Sequence, residues 1–146
     1  MEILYWNRDI ETCSREELEK GQLARLRATI DHALRTPLYR RQLNDAGISS
    51  GDDIITLEDI RRLPFTSKNE LRESFPYGVL SVPLEQVVRL HASSGTTGTP
   101  TVIYHTKEDL ADWTELSARS MMCAGVARAD VFQNMMTYGL FTGGLG

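Results

Sequence analysis

The stretch HASSGTTGTPTVIYHT, residues 91 to 106, constrains this chain most. Seven small or hydroxylated residues, Ser93 to Thr99, stand between two runs rich in β-branched side chains, QVVRLHAS (86–93) and TVIYHT (101–106). Such runs suit a pleated, half-buried surface and predict two strands. A hairpin turn needs about two to five residues, so this connection is longer and more polar than turning requires. Gly95 and Gly98 can take backbone angles closed to other residues, which lets successive N–H groups converge on one anion. Ser93, Ser94, Thr96, Thr97 and Thr99 add hydroxyl donors without bulk. The pattern suits a polyphosphate. It is not GxxxxGK[ST], because no lysine follows the second glycine, and it is not GxGxxG. It also joins strand to strand, so no helix N-terminus stands directly behind an anion. A plain Ser/Thr/Gly surface loop has the same composition, and on pattern alone both readings stand.

The flanks are of two kinds. Upstream, helix-start signals recur. Ser14 with Glu17 forms a capping box that opens a long helix over 14–36, with Leu23, Leu26, Ile30 and Ala33/Leu34 on its packing face. Arg25, Arg27 and Arg35 face elsewhere, and Thr36-Pro37 ends the helix, since a residue before proline avoids helical angles. A short helix follows from Leu38 to Ala46, stopped by Gly47. Thr56 with Asp59 and Ser67 with Glu70 announce two more, separated by an extended Leu63-Pro64-Phe65 link. Downstream of the loop, Thr106 with Asp109 caps a helix from Lys107 to Ala124 that packs through Leu110, Trp113, Leu116/Ser117 and Ser120/Met121. Gly125 closes it, and VFQNMM (131–136) reads as a buried strand. The expected fold class is α/β: a mainly helical region over 1–80, then from 81–146 the start of a mixed β-sheet with flanking helices. TYGLFTGGLG (137–146) carries four glycines in ten residues, and the chain reads as the N-terminal piece of something longer.

Composition narrows the function classes. A net charge of −4 argues against a sequence-independent nucleic-acid binder, whose affinity rests on Lys and Arg against phosphate. No stretch approaches the roughly 20 apolar residues that span a bilayer. The N-terminus has no basic region followed by an apolar run, so a secretion signal is not expected and the cytoplasm is. Cys13 and Cys123 are far apart and make no metal-ligand spacing, so they read as free thiols.

SSGTTGTPT resembles the phosphate-binding loop of the adenylate-forming acyl-CoA synthetase superfamily. Its surroundings narrow the likeness. RLPFTSKNELRESFPYGVLSVPLEQVVRLHASSGTTGTPTVIYHT is similar to the stretch leading into that loop in phenylacetate-CoA ligases. YGLFTGGLG is similar to the family segment that follows the next helix and strand. The opening, WNRDIETCSREELEKGQLARLRATIDHALRTPLYRRQL, also looks like the family's start, so the resemblance covers essentially the whole chain. It implies part of the large N-terminal domain of a two-step ligase using ATP, Mg²⁺ and coenzyme A. A carboxylate attacks the α-phosphate of ATP, and the thiol of coenzyme A then displaces AMP from the acyl-adenylate. Ser93, Ser94, Gly95, Thr96, Thr97, Gly98 and Thr99 match the loop that holds the β- and γ-phosphates. Tyr138, Phe141, Gly143 and Gly144 match part of the aryl-acid pocket. Thr99 stands where family members commonly have lysine. By the same resemblance the adenine and ribose contacts, the Mg²⁺-holding Glu and the catalytic Lys lie beyond residue 146. This chain then holds no catalytic and no metal-binding residue and is inactive by itself. The implied partners are an aryl carboxylate, ATP and CoA, with a homodimer as the assembly and neither nucleic acid nor membrane. The alternative is a non-catalytic nucleotide-binding or oligomerisation fragment.

The remaining chemistry-bearing residues read more plainly. His91 is expected to bond backbone at a strand end, His32 to be solvated, and His105 to lack a second ligand nearby. Tyr5 and Trp6 read as core packing or as a pin for the N-terminal segment. Met121, Met122, Met135 and Met136 read as core fillers. Arg35, Arg40 and Arg41 read as a solvated helix-end group. No Ser/His/Asp or Cys/His arrangement is legible.

Overall fold

The computed structural model describes residues 5–93, 100–127 and 129–135. Its elements run α1 (Arg8–Glu11), α2 (Arg15–Ala33), α3 (Pro37–Asp45), two 3-10 segments (Gly51–Asp53 and Leu57–Arg62) and α4 (Lys68–Glu73). A third 3-10 turn (Leu84–Gln86) leads into β1 (Val87–Ala92), followed by β2 (Val102–Thr106) and α5 (Lys107–Cys123).

Capping chemistry sets the helix starts. Ser14 Oγ accepts from the Glu17 amide while Glu17 Oε2 accepts from the Ser14 amide at 2.9 Å, and Ser67/Glu70 and Thr106/Asp109 repeat the exchange. Each satisfies donors that the first helical turn leaves orphaned. The long helix stops at Ala33, three residues short of Thr36, because Thr36 has a second use. It is extended at φ −92°, ψ 143° and caps α3, with Pro37 in the first turn where no N–H is needed. Leu57–Arg62 is a 3-10 segment rather than an α-helix. Leu63 closes it by donating to Ile60 three residues back, and Pro64 then holds Leu63 in extended geometry. Gly47 and Gly125 take positive φ (72° and 91°) where α3 and α5 terminate.

The core lies under the helical half. Ile30, Leu43, Ile48 and Ile54 are buried together, with Leu23, Leu26, Ala33, Leu34, Tyr39, Ala46 and Leu63 packed around them. The α2 face read from the sequence is the face that packs. Polar ties fix the rim of this core. Gly51 N–H donates to Asp31 Oδ1 at 2.7 Å, and Arg27 Nε donates to the Ile54 carbonyl at 2.7 Å. Arg27, read as facing away from the α2 packing face, is half-buried at the core edge through this bond.

β1 and β2 pair antiparallel, with His91 opposite Ile103 and Arg89 opposite His105. An irregularity between Val87 and Arg89 makes Val88 an extra residue on β1. Among the described residues the sheet has these two strands alone. The buried strand expected over 131–136 is not formed at 131–135. Those residues carry no regular structure, and Val131 (99%) and Phe132 (69%) stand exposed. A strand exists only against a partner ladder, and no described residue supplies one.

Candidate functional site: the base of the glycine-hydroxyl loop

The hairpin register brings the two ends of the loop together. Ser93 N–H donates to the Thr101 carbonyl at 2.9 Å, and Thr101 N–H donates to Ser93 Oγ at 2.9 Å. Ser93 is thus a clasp across the loop base, its hydroxyl oxygen accepting while its proton meets no acceptor among the described residues. The other residues assigned to the phosphate loop, Ser94, Gly95, Thr96, Thr97, Gly98 and Thr99, lie outside the described residues. So do Tyr138, Phe141, Gly143 and Gly144 of the acid pocket, and Met136.

One face of the hairpin carries a cluster that the sequence kept apart. Strand alternation places Ser93/Thr101, His91/Ile103 and Arg89/His105 on a common face. On it the His91 and His105 rings stand 4.9 Å apart, edge to face at 63°. Trp113 of α5 covers both, at 5.3 Å from His91 and 5.4 Å from His105. His91 is fully buried (0% exposed), and neither of its ring nitrogens has a hydrogen-bond partner. His105 Nε2 and Thr101 Oγ1 are buried and unpartnered as well. The expectation of a backbone-bonded His91 is therefore wrong, because the backbone groups beside it are engaged in the β1–β2 ladder. The isolation of His105 is corrected too: a second imidazole adjoins it, placed there by register. Burial is the largest influence on His91, with His105 and Arg89 behind it, and together they hold its pKa below the ordinary 6.5. A buried unpaired charge costs several kcal/mol, more than the roughly 0.5–2 kcal/mol that a cation–π contact returns, so His91 is neutral at pH 7.

The opposite face packs on residues 76–80. Tyr104 Oη donates to the Pro76 carbonyl at 2.7 Å, and burial with Tyr77 nearby pushes the Tyr104 pKa up from 10. Beside it a cleft of about 690 Å³ opens between Arg35 and Tyr39 on one side and Val102, Tyr104 and Lys107 on the other. Its apolar walls and size are those of a small-molecule cleft. Lys107 begins α5 and lines this cleft.

The N-terminus is pinned rather than packed. Trp6 Nε1 donates to Glu115 Oε2 at 2.6 Å, and Arg119 sits 3.5 Å from Glu11, so α1 ties to α5 while Tyr5 and Trp6 stay partly exposed. Core packing of Trp6 and Tyr5 is thereby corrected. Met121 and Met135 are exposed, not core fillers, since nothing described covers the end of α5 or residues 131–135. Arg40 donates to the Leu34 carbonyl at 2.8 Å, capping the end of α2 from an exposed position as a helix-end charge does. His32 is exposed, and Cys13 and Cys123 are free.

Comparison with known proteins adds what the geometry leaves open. Over 138 residues, 94% of this chain, the sequence is 49% identical to the phenylacetate-coenzyme A ligase of Pseudomonas putida. The Escherichia coli K12 ligase of the same name matches at 47% over the same share. The chain is similar to phenylacetate-coenzyme A ligases along nearly its whole length. It spans 31% of the length of these ligases. The Thermus thermophilus phenylacetate-coenzyme A ligase is 46% identical over 139 residues. No protein-family model matches. Among solved structures, 2-hydroxyisobutyryl-CoA ligase in complex with 2-HIB-AMP and CoA is 33% identical with a TM-score of 0.74. The match covers 84% of this chain and 27% of that one. Its open conformation, also with 2-HIB-AMP and CoA, gives 0.73 at 31% identity. The helices and hairpin described above are thus a recurring part of acyl-CoA ligases.

Proposed function

We propose that this chain supplies the pyrophosphate-holding loop and one wall of the acid pocket of an ATP-dependent, AMP-forming phenylacetate-CoA ligase. The identity of 44–49% to phenylacetate-coenzyme A ligases across 94% of the chain carries the reading. The neighbouring fold bound to an acyl-adenylate and CoA supports the same two-step chemistry. In the first step a carboxylate oxygen bonds the α-phosphorus of ATP and pyrophosphate leaves. In the second the CoA thiol bonds the acyl carbon, AMP leaves with the electron pair, and the thiol proton is released.

The contribution of this chain is to the leaving pyrophosphate. Residues 94–99, held between the Ser93–Thr101 clasp, offer amides and hydroxyls to the β- and γ-phosphates in this reading. Mg²⁺ would neutralise charge on those phosphates. The described residues contain no group of three His, Cys, Asp or Glu side chains able to hold a metal, so none of them is assigned to the cation. Tyr138, Phe141, Gly143 and Gly144 would face the aryl ring. The reading extends to a homodimer in the cytoplasm, and to inactivity of the 146-residue chain by itself.

The test is ATP–pyrophosphate exchange in a full-length protein carrying this sequence, with a panel of arylacetates and benzoates. Phenylacetate should support exchange, and exchange no higher than background would overturn the substrate assignment. In the same protein Gly95→Val should abolish turnover by blocking the amide cradle. Unchanged ATP affinity and turnover would remove the loop from the phosphate site.

A further inference from the structure

We propose that His91, His105 and Trp113 form a proton-operated latch between the hairpin and α5, closed while the His91 imidazole is neutral and released when it takes a proton. The proposal does not depend on the ligase reading. The three rings belong to three different elements, β1, β2 and α5, and meet at centroid separations of 4.9 to 5.4 Å. His91 lies two residues from Ser93 on the strand face that carries the Ser93–Thr101 clasp, so whatever moves His91 moves the base of the loop.

Neutral rings hold this arrangement. Edge-to-face packing needs no counter-charge, so neutral rings can hold it although both His91 nitrogens lack a polar partner. A charged ring gains a cation–π contact with Trp113, but that gain is smaller than the cost of burying its charge. The groups that act on His91 are the second imidazole on β2 and the Arg89 guanidinium on its own strand, both unfavourable to added positive charge. From α5 comes Trp113. The Asp109 carboxylate at the start of α5 is occupied by the amide and hydroxyl of Thr106, at 2.7 and 2.8 Å. Among the described residues no anion thus stands ready to receive an imidazolium, and the charged ring reaches water by parting the hairpin from α5. Burial, which already disfavours protonated His91, acts in the same direction.

Trp113 reports the latch directly, since an imidazolium in contact quenches indole emission and release exposes the ring to water. The measurement is tryptophan fluorescence of the Trp6→Phe chain from pH 8 to pH 4.5, with far-UV circular dichroism followed in parallel. We expect a single step below pH 6.5, with quenching and a red shift, while the helical signal holds. Adding His91→Phe, which keeps an aromatic ring without a titratable nitrogen, should abolish the step. His105→Phe, at a half-buried position, removes a group unfavourable to charge on His91, so it should shift the step to higher pH, and it serves where His91→Phe does not fold. The proposal is overturned by absence of a step, by a step unchanged in both variants, or by a step that coincides with loss of helical signal.

Discussion

Gly51 shows how little room a single position leaves. A Cβ built there would stand 2.5 Å from the Arg27 carbonyl oxygen, closer than real contacts allow, because the 3-10 turn presses backbone to backbone against α2. Gly51→Ala should therefore destabilise by on the order of 1–3 kcal/mol, read as a shift in the urea midpoint with unchanged slope. His91 gives the residue-scale pH dependence. Its folded pKa is depressed, so above pH 6.5 it is neutral in both states and its burial contributes in full. As pH falls below 6.5 the unfolded chain takes the proton first, and stability drops until the folded group protonates too. The capping carboxylates Glu17, Asp53, Asp59 and Glu70 are also depressed, chiefly by backbone amides donating to them, from ordinary values of 3.8 to 4.5. Their contribution is present above that range and is lost as pH falls through their lower folded values. Urea midpoints should therefore fall in two stages on acidification, and His91→Phe should remove the earlier one alone.

At the scale of elements, the same cap chemistry carries different weight in different surroundings. Ser14 opens α2 in solvent, whereas Thr36 opens α3 while buried to 1% exposure, its hydroxyl donating to the Ala33 carbonyl at 2.9 Å. Ser14→Ala should cost about 0.5–1 kcal/mol and Thr36→Ala about 2 kcal/mol, compared by thermal unfolding. Equal costs would mean that burial adds nothing to the cap. The hairpin depends on a different device. Its register is held by the Ser93–Thr101 clasp above and the irregularity at Val88 below. Helix α5 follows β2 with no intervening loop, since Thr106 is both the last strand residue and the cap. This direct junction is what brings Trp113 down onto the histidine face.

The molecule as a whole is unevenly supported. Its buried aliphatic cluster joins α2, α3 and the first 3-10 segment, while α5 contributes no fully buried residue. Ile48 and Ile54 are fully buried, so Ile48→Ala should cost about 2–5 kcal/mol. Hydrogen exchange should show the loss in α2 and α3, with α5 amides the least protected at the start. Exposed Leu116, Met121, Val131, Phe132 and Met135 gather along α5 and the residues after it. That distribution fits a chain spanning about a third of the ligases it is similar to.

What the sequence determined by itself was local. Caps, glycine stops and the proline after Thr36 announced the helices, because a capping box closes within four residues and needs no distant partner. The β-branched runs announced both strands for the same reason of local preference, and the α2 packing face followed from periodicity. Readings that required a partner failed where the partner was absent or unforeseen. Residues 131–135 had strand composition but among the described residues met no ladder, Met121 and Met135 had core chemistry but met no described cover, and Leu57–Arg62 formed a 3-10 segment before Pro64. The histidine cluster was decided by tertiary structure alone. Fourteen positions separate His91 from His105, and only the register across an unusually long connection could place them on one face. Trp113 was visible as a packing residue of α5, but what it packs against depended on how the helix leaves β2. The glycine-hydroxyl loop was legible as a pattern because its chemistry is written in consecutive residues, while the clasp that anchors it exists only once the two strands pair.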